Sequence, residues 1–250
     1  MNPILAARDL RISFGGVVAA NGIDLDIYPH ELVAIIGPNG SGKTTFLNLC
    51  TGYIHPASGS VAFEGRPITE LSPRAITRRG IARAFQIPQL FAGHSVLECV
   101  MLAVAARHGI WDAWRPLGRR NYRDEARAIL DLLTLGEVAD RLTAVLPEGM
   151  RKLADIAIAM ALKPRLLLLD EPTSGVSTRD KAQIMDTVSA IVRAGHISAV
   201  IIEHDMDVVF RYSDRIVMMH EGRVLAEGTP DEIRRNEEVA TALTGGKFTQ

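Results

Sequence analysis

The chain has 250 residues, with 28 Lys and Arg against 29 Asp and Glu and a formal net charge of −1. This near balance argues against a dedicated nucleic-acid binder, which would carry a basic excess. Hydrophobic residues are 47% of the chain and mean hydropathy is +0.11, yet the longest apolar runs, 156–162 and 166–169, are split by Lys163, Pro164 and Arg165 and fall short of the ~20 residues of a membrane span.

The opening Met1-Asn2-Pro3, followed by 4–14, has neither a basic n-region nor an apolar h-region, so no signal peptide is expected. Leu10, Ile12 and Phe14 alternate with Arg11 and Ser13, and Ile23, Leu25 and Ile27 alternate with Asp24 and Asp26, the period of half-buried strands. Residues 33–36 form a continuous apolar run, as in a strand buried on both faces. That run leads through a glycine-rich loop into a helix over 43–50. Strands are expected at 60–63 and 81–85. Ser95 and Glu98 make a capping box that opens a helix through Ala106. Residues 111–118 read as an irregular aromatic connection, and Ala126, Ile129, Leu130 and Leu133 give helical spacing across 119–135. Helices at 150–162, 178–194, 206–212 and 229–236 alternate with strands at 166–169 and 197–202 and with a hairpin, 216–219 and 223–226, turning at Glu221-Gly222. The alternation implies an α/β fold with a mostly parallel sheet covered on both faces. The helix-rich stretch 64–146 reads as an inserted helical subdomain. Cys50 and Cys99 fall in helices and read as reduced core residues, and 245–250 are expected to fray.

Gly37-Pro38-Asn39-Gly40-Ser41-Gly42-Lys43-Thr44 fits G-x-x-x-x-G-K-[ST] between a strand and a helix. Such a loop turns successive backbone N–H groups onto phosphate oxygens at a helix N-terminus. Lys43 supplies an ammonium for the β- and γ-phosphates and Thr44 a hydroxyl for Mg²⁺; Thr45 follows in the same first turn. The alternative, a glycine-rich turn with a chance lysine, leaves the flanking strand and helix unexplained. Leu166-Leu167-Leu168-Leu169-Asp170-Glu171 ends a buried strand with two acids, at the sheet edge where open α/β sheets bind ligands. Asp170 is placed to hold the cation's hydration shell and Glu171 to orient or deprotonate an attacking water. An acidic turn capping a core strand is the alternative. Two carboxylates beside a triphosphate call for a divalent cation between them.

With these motifs the sequence resembles the ATP-binding subunits of ABC transporters, from Phe14 to about Ile233. The resemblance implies a P-loop ATPase core with an antiparallel β portion and an inserted helical subdomain. It makes 1–250 one domain, with a core of about 1–86 and 164–250 and helices over about 87–163. Phe14 stands where the family stacks an aromatic on adenine; an ordinary core strand residue is the other reading. Gln86, in Ala84-Phe85-Gln86-Ile87-Pro88, matches the glutamine loop that links Mg²⁺ to the membrane partner. His204, in Ile202-Glu203-His204-Asp205, matches the histidine that touches the γ-phosphate. Leu146-Pro147-Glu148-Gly149-Met150 occupies the place of the family's Leu-Ser-Gly-Gly-Gln, so Glu148 and Gly149 are expected beside nucleotide bound to an opposing subunit. Pro147 there lacks the serine hydroxyl and Glu148 brings a carboxylate. Ser177 sits where the family usually has aspartate.

The resemblance implies ATP and Mg²⁺ as cofactors, and a second ATP-binding subunit, identical or different. It also implies transmembrane permease subunits, a solute-binding protein in the case of uptake, no nucleic acid, and a peripheral position on the cytoplasmic side of the inner membrane. Gly80-Ile81-Ala82-Arg83-Ala84-Phe85-Gln86, Thr51-Gly52, Glu203-His204-Asp205-Met206 and the Gly222 to Pro230 ending look most like the branched-chain amino acid uptake group, with its urea and amide relatives. The lipopolysaccharide-export ATPase is similar in several of these stretches. A soluble relative acting in translation or DNA repair would carry two such domains or a long coiled coil, and a P-loop kinase leaves Gln86, Gly149 and His204 unexplained. Arg115, Arg119, Arg120, Arg123 and Arg127, around Trp111 and Trp114, read as a solvated helix face or as a contact for anionic headgroups or a membrane partner.

Overall fold

A computed structural model describes residues 1–108, 120–195 and 197–244. The connection expected over 111–118, the tail 245–250, and Arg115 and Arg119 lie outside them. In chain order the strands are β1 (Leu5–Phe14), β2 (Val17–Ile27), β3 (Leu32–Ile36), β4 (Ser58–Phe63), β5 (Arg66–Pro67), β6 (Ile81–Ala84), β7 (Leu166–Asp170), β8 (Ser198–Ile202), β9 (Arg215–His220) and β10 (Arg223–Gly228). The helices are α1 (Lys43–Cys50), α2 (Pro73–Arg78), α3 (Val96–Arg107), α4 (Arg120–Leu132), α5 (Glu148–Ala161), α6 (Thr178–Arg193), α7 (Met206–Tyr212), α8 (Pro230–Arg234) and α9 (Glu237–Thr244).

The strands form two sheets. The larger has the order β10-β9-β3-β8-β7-β6, all parallel except β10. The smaller, β2-β1-β4-β5, is antiparallel. Every residue of β3, β7 and β8 is buried, and their side chains alternate between two cores. Leu32, Ala34, Ile36, Leu167, Leu169, Ala199 and Ile201 pack with α3, α4, α5 and α6. Val33, Ile35, Leu166, Leu168, Val200 and Ile202 pack with α1 and the small sheet. The continuous apolar runs 33–36 and 166–169 are thus strands read by both cores.

The Ser95–Glu98 capping box is present at α3 and a second, Thr229–Glu232, opens α8. Cys50 and Cys99 are buried and free. The helix expected over 150–162 begins two residues earlier, and β5, α2 and α9, of two, six and eight residues, were not anticipated. Arg127 pairs with Asp140 at 3.1 Å and Arg123 reaches it at 3.9 Å, the arrangement of a solvated face.

Glu125 ties α4 to its neighbours. It takes hydrogen bonds of 3.0 and 2.8 Å from Arg107 Nη2 and an ion pair with Lys163 at 3.0 Å. The Arg107 hydrogen bond, above all, pulls its carboxyl down to about 2 from a usual 4.5. Its stabilisation is therefore complete above about pH 4.5 and is lost as pH falls towards 2. Glu125→Gln is expected to lower unfolding stability by about 1–2 kcal/mol at pH 7, the partial exposure of the pair screening the rest. Urea unfolding at several pH values should show the gap to the parent closing below about pH 4.5.

Candidate active site

The site forms at the carboxyl edge of the large sheet, where β3, β8 and β7 lie side by side and end in three loops. After β3, Gly37 has φ 145° and Gly42 φ 100°. A Cβ on Gly37 would sit 2.1 Å from the Met219 carbonyl oxygen, and one on Gly42 2.4 Å from that of Ala19, so only glycine fits either place. Gly42 caps α1 without a side-chain hydrogen bond. The first intrahelical bond runs from Phe46 N–H to the Gly42 carbonyl at 2.8 Å, which leaves the N–H groups of Lys43, Thr44 and Thr45 for an anion. Asn39 and Gly40 are exposed, Pro38 is half-buried and Ser41 is buried. Lys43 is buried, and its ammonium donates to the carbonyls of Gly37 (2.7 Å) and Pro38 (2.9 Å). Burial lowers its pKa, while Glu171 and then Asp170 oppose that shift; both acids therefore act on the lysine of the loop. Thr44 is exposed beside it.

Glu171 follows β7 with φ 49°, a left-handed conformation that costs a side-chain-bearing residue on the order of 1 kcal/mol. Gln86 and His204, far apart in sequence, converge on its carboxylate. Gln86 Nε2 donates to Oε2 at 2.7 Å and His204 Nε2 lies 3.0 Å from Oε1. His204 is held in turn by Glu203. That buried carboxylate accepts from Thr173 N–H (2.9 Å) and Oγ1 (2.8 Å), and from His204 N–H at 3.3 Å. Asp170 pairs with Arg83 at 2.6 Å.

Two charged groups on the buried face of α5 hold the Gln86 loop. Asp155 accepts from the N–H groups of Phe85 (2.9 Å) and Gln89 (3.1 Å), and burial raises its pKa. Lys152 donates to the carbonyl oxygens of Gln86 and Glu171 (3.1 Å) and to Ser174 Oγ (3.2 Å); burial lowers its pKa. Sequence reasoning missed Arg83, Lys152, Asp155 and Glu203 as members of the site. A signal existed in Lys152 and Asp155, charges spaced i, i+3 on a stripe that also holds Ile156 and Ala159.

Other expected residues lie apart from this cluster. Phe14 is 50% exposed at the β1–β2 turn, which rules out the core-strand reading. Pro147 caps α5 with no side-chain hydrogen bond, and Glu148, in its first turn, lies 3.5 Å from Arg151. A Cβ on Gly149 would come 3.0 Å from Asp180 Cβ, so the glycine lets α5 and α6 approach. The Ser177 hydroxyl is spent within the chain, accepting from Asp180 N–H (3.2 Å) and donating to Asp180 Oδ2 (2.8 Å) as the cap of α6.

A phosphate-binding loop, an acid-tipped strand one place removed from the strand before that loop, and a glutamine and a histidine meeting on the second acid define a P-loop nucleotide site. The model of the ABC transporter family matches residues 20–174, and one described as branched-chain amino acid ATP-binding cassette transporter matches 223–242. The chain is 34% identical over 253 residues to the high-affinity branched-chain amino acid transport ATP-binding protein BraF of Pseudomonas aeruginosa, covering 97% of this chain and 98% of BraF. It is 34% identical over 250 residues, with the same coverage, to the corresponding LivG protein of Escherichia coli. A nucleotide-free ATP-binding cassette superposes with a TM-score of 0.82 at 30% identity, over 97% of this chain and 95% of that one. The ADP conformation of the cassette MJ1267 superposes at 0.83 and 30%, over 99% and 97%. The chain belongs to the ABC transporter family, as an ATP-binding and ATP-hydrolysing subunit.

Proposed function

We propose that this subunit powers uptake of branched-chain amino acids, or of a related amide or urea-type solute, through separate permease subunits. The observation that carries the reading is end-to-end similarity to BraF and LivG, together with the match of the C-terminal family model over 223–242. Among the described residues, no helix is long and apolar enough to cross a membrane. We place the chain peripherally on the cytoplasmic side of the inner membrane. Ile87 and Phe91 are exposed just after Gln86. The Phe91 carbonyl accepts the Thr143 hydroxyl at 2.8 Å, which brings exposed Leu142 and Val145 alongside. This apolar area next to Gln86 suits a permease segment, and the helices over about 87–163 form the lobe that carries it.

In this reading the loop Gly37–Thr45 wraps the phosphates and Lys43 turns from the loop carbonyls to the β- and γ-phosphates. Phe14 stacks on adenine; a stack of this kind contributes about 1–3 kcal/mol where aromatic side chains meet bases. The hydroxyl of Thr44, the amide oxygen of Gln86 and the carboxylate of Asp170 are hard oxygen donors supplied singly. Among the described residues no group of three His, Cys, Asp or Glu could hold a metal alone. Such a set suits Mg²⁺, which keeps several waters and binds with substrate phosphates. When bound it supplies charge neutralisation at the phosphates. Glu171 orients the attacking water and takes its proton, and His204 moves from Glu171 to the γ-phosphate.

A second ATP-binding subunit, identical or different, faces this one head to tail, with Glu148 and Gly149 towards the opposite nucleotide. Pro147 offers that phosphate no hydroxyl and Glu148 offers it a like charge, so this signature supports hydrolysis opposite less strongly than a serine-glycine pair would. A solute-binding protein completes the uptake system.

The test is purification of the tagged chain from detergent-extracted membranes of its own host. Polytopic permeases, with labelled leucine uptake lost on deletion of the gene, are expected. Ribosomes or DNA in their place would overturn the reading, and lipopolysaccharide-export components would redirect it to export.

A further inference from the structure

We infer that Arg83 is a positioning residue for the divalent cation, because it fixes how Asp170 can meet the cation that accompanies ATP. The inference rests on the nucleotide site proposed above. The two side chains are only 6% and 7% exposed and meet at 2.6 Å between Nη2 and Oδ2. The other end of the guanidinium donates to Asn48 Oδ1 at 2.6 Å, and its carbon lies 4.9 Å from the centre of the Phe85 ring.

These contacts come from separate parts of the site. Arg83 is paired with Leu168 in the β6–β7 register, so its long side chain runs forward along β7 to reach Asp170. Three residues further on is Gln86. Asn48 stands on α1, the helix that begins with Lys43 and Thr44. One planar guanidinium therefore joins the phosphate-loop helix, the glutamine strand and the acid strand. A guanidinium held at both ends and over a ring has one orientation, which an ammonium cannot reproduce.

The consequence is chemical. Asp170 Oδ2 is committed to Arg83, and no hydrogen bond from a described residue reaches Oδ1. A carboxylate restrained this way meets a cation through one oxygen, directly or through a metal-bound water. Released from Arg83, it could turn and chelate through both. Mg²⁺ demands a regular octahedron and keeps its waters, whereas Ca²⁺ accepts bidentate carboxylates. Arg83 thus tunes the site towards Mg²⁺ and against Ca²⁺, and Asn48 holds Arg83 in the position that does so.

The experiment uses the full chain, a fluorescent non-hydrolysable ATP analogue, and separate titrations with Mg²⁺ and Ca²⁺ in the parent, Arg83→Lys and Asn48→Ala. Analogue binding in EDTA should stay within about twofold of the parent, because the phosphate loop is untouched. The half-saturating Mg²⁺ concentration should rise about tenfold, the size of effect that residues orienting a metal ligand commonly have. That for Ca²⁺ should change far less, so the ratio of the two shifts about fivefold or more. Asn48→Ala leaves the buried ion pair matched and reads the same effect if Arg83→Lys folds poorly. An unchanged ratio in the folded variants overturns the proposal. So does a loss of EDTA binding as large as the loss with Mg²⁺, which would mark a packing role alone. A parent that binds no analogue overturns the nucleotide reading itself, and this inference with it.

Discussion

Glu171→Gln is expected to bind ATP normally and to lower its turnover by roughly 10²–10⁴-fold, the contribution of a positioned general base. The substitution keeps shape and removes only the basic oxygen. Glu171 now receives Gln86 Nε2 on one oxygen and meets His204 Nε2 on the other, at 2.7 and 3.0 Å. An amide can serve both neighbours, its oxygen accepting from Gln86 and its N–H₂ donating to a neutral imidazole, so the cluster should survive. Bound ATP that is not hydrolysed should also hold two subunits together, visible as a doubled mass in sedimentation with ATP and Mg²⁺. Turnover equal to the parent would assign the base elsewhere.

Lys43→Ala is expected to weaken ATP binding by about 1.5–3 kcal/mol, the scale of a lost hydrogen bond to a charged group, or roughly ten- to a hundredfold. The Gly37 and Pro38 carbonyls lose the ammonium as donor, but backbone bonds such as Gly222 N–H to the Ser41 carbonyl at 3.1 Å remain to hold the loop. Titration calorimetry with ATP would measure the change. An affinity equal to the parent would remove Lys43 from the phosphates.

The contrast between these residues and the ones sequence reasoning missed is physical. Lys43 and Thr44 lie inside a contiguous motif whose backbone makes the site, so spacing alone exposes them. Asp170 and Glu171 end a run of four leucines, so their position at a sheet edge was legible too. The resemblance supplied Gln86, His204 and Phe14, single residues that no local pattern marks. Arg83 and Glu203 were opaque for a different reason. Each is a charge in or just after an apolar strand, and what it pairs with is decided by β6–β7–β8 packing that no linear spacing encodes. The sheets divided in the same way. Alternation marked β1 and β2 and continuous apolar runs marked β3 and β7, but the separation of β1, β2, β4 and β5 into an antiparallel sheet comes from register and not from composition. Ser177, which sits where the family usually has aspartate, closes on Asp180 and starts α6.

In the proposed function this chain is the engine and another the passage, and reconstituted transport tests that division directly. The complex purified with the parent chain, or with Glu171→Gln, would be placed in liposomes with labelled leucine, the solute-binding protein, and ATP with Mg²⁺ on the side of this subunit. ATP-dependent uptake is expected with the parent and none with Glu171→Gln at equal subunit content. Equal uptake by the two complexes, or uptake indifferent to ATP, would contradict it.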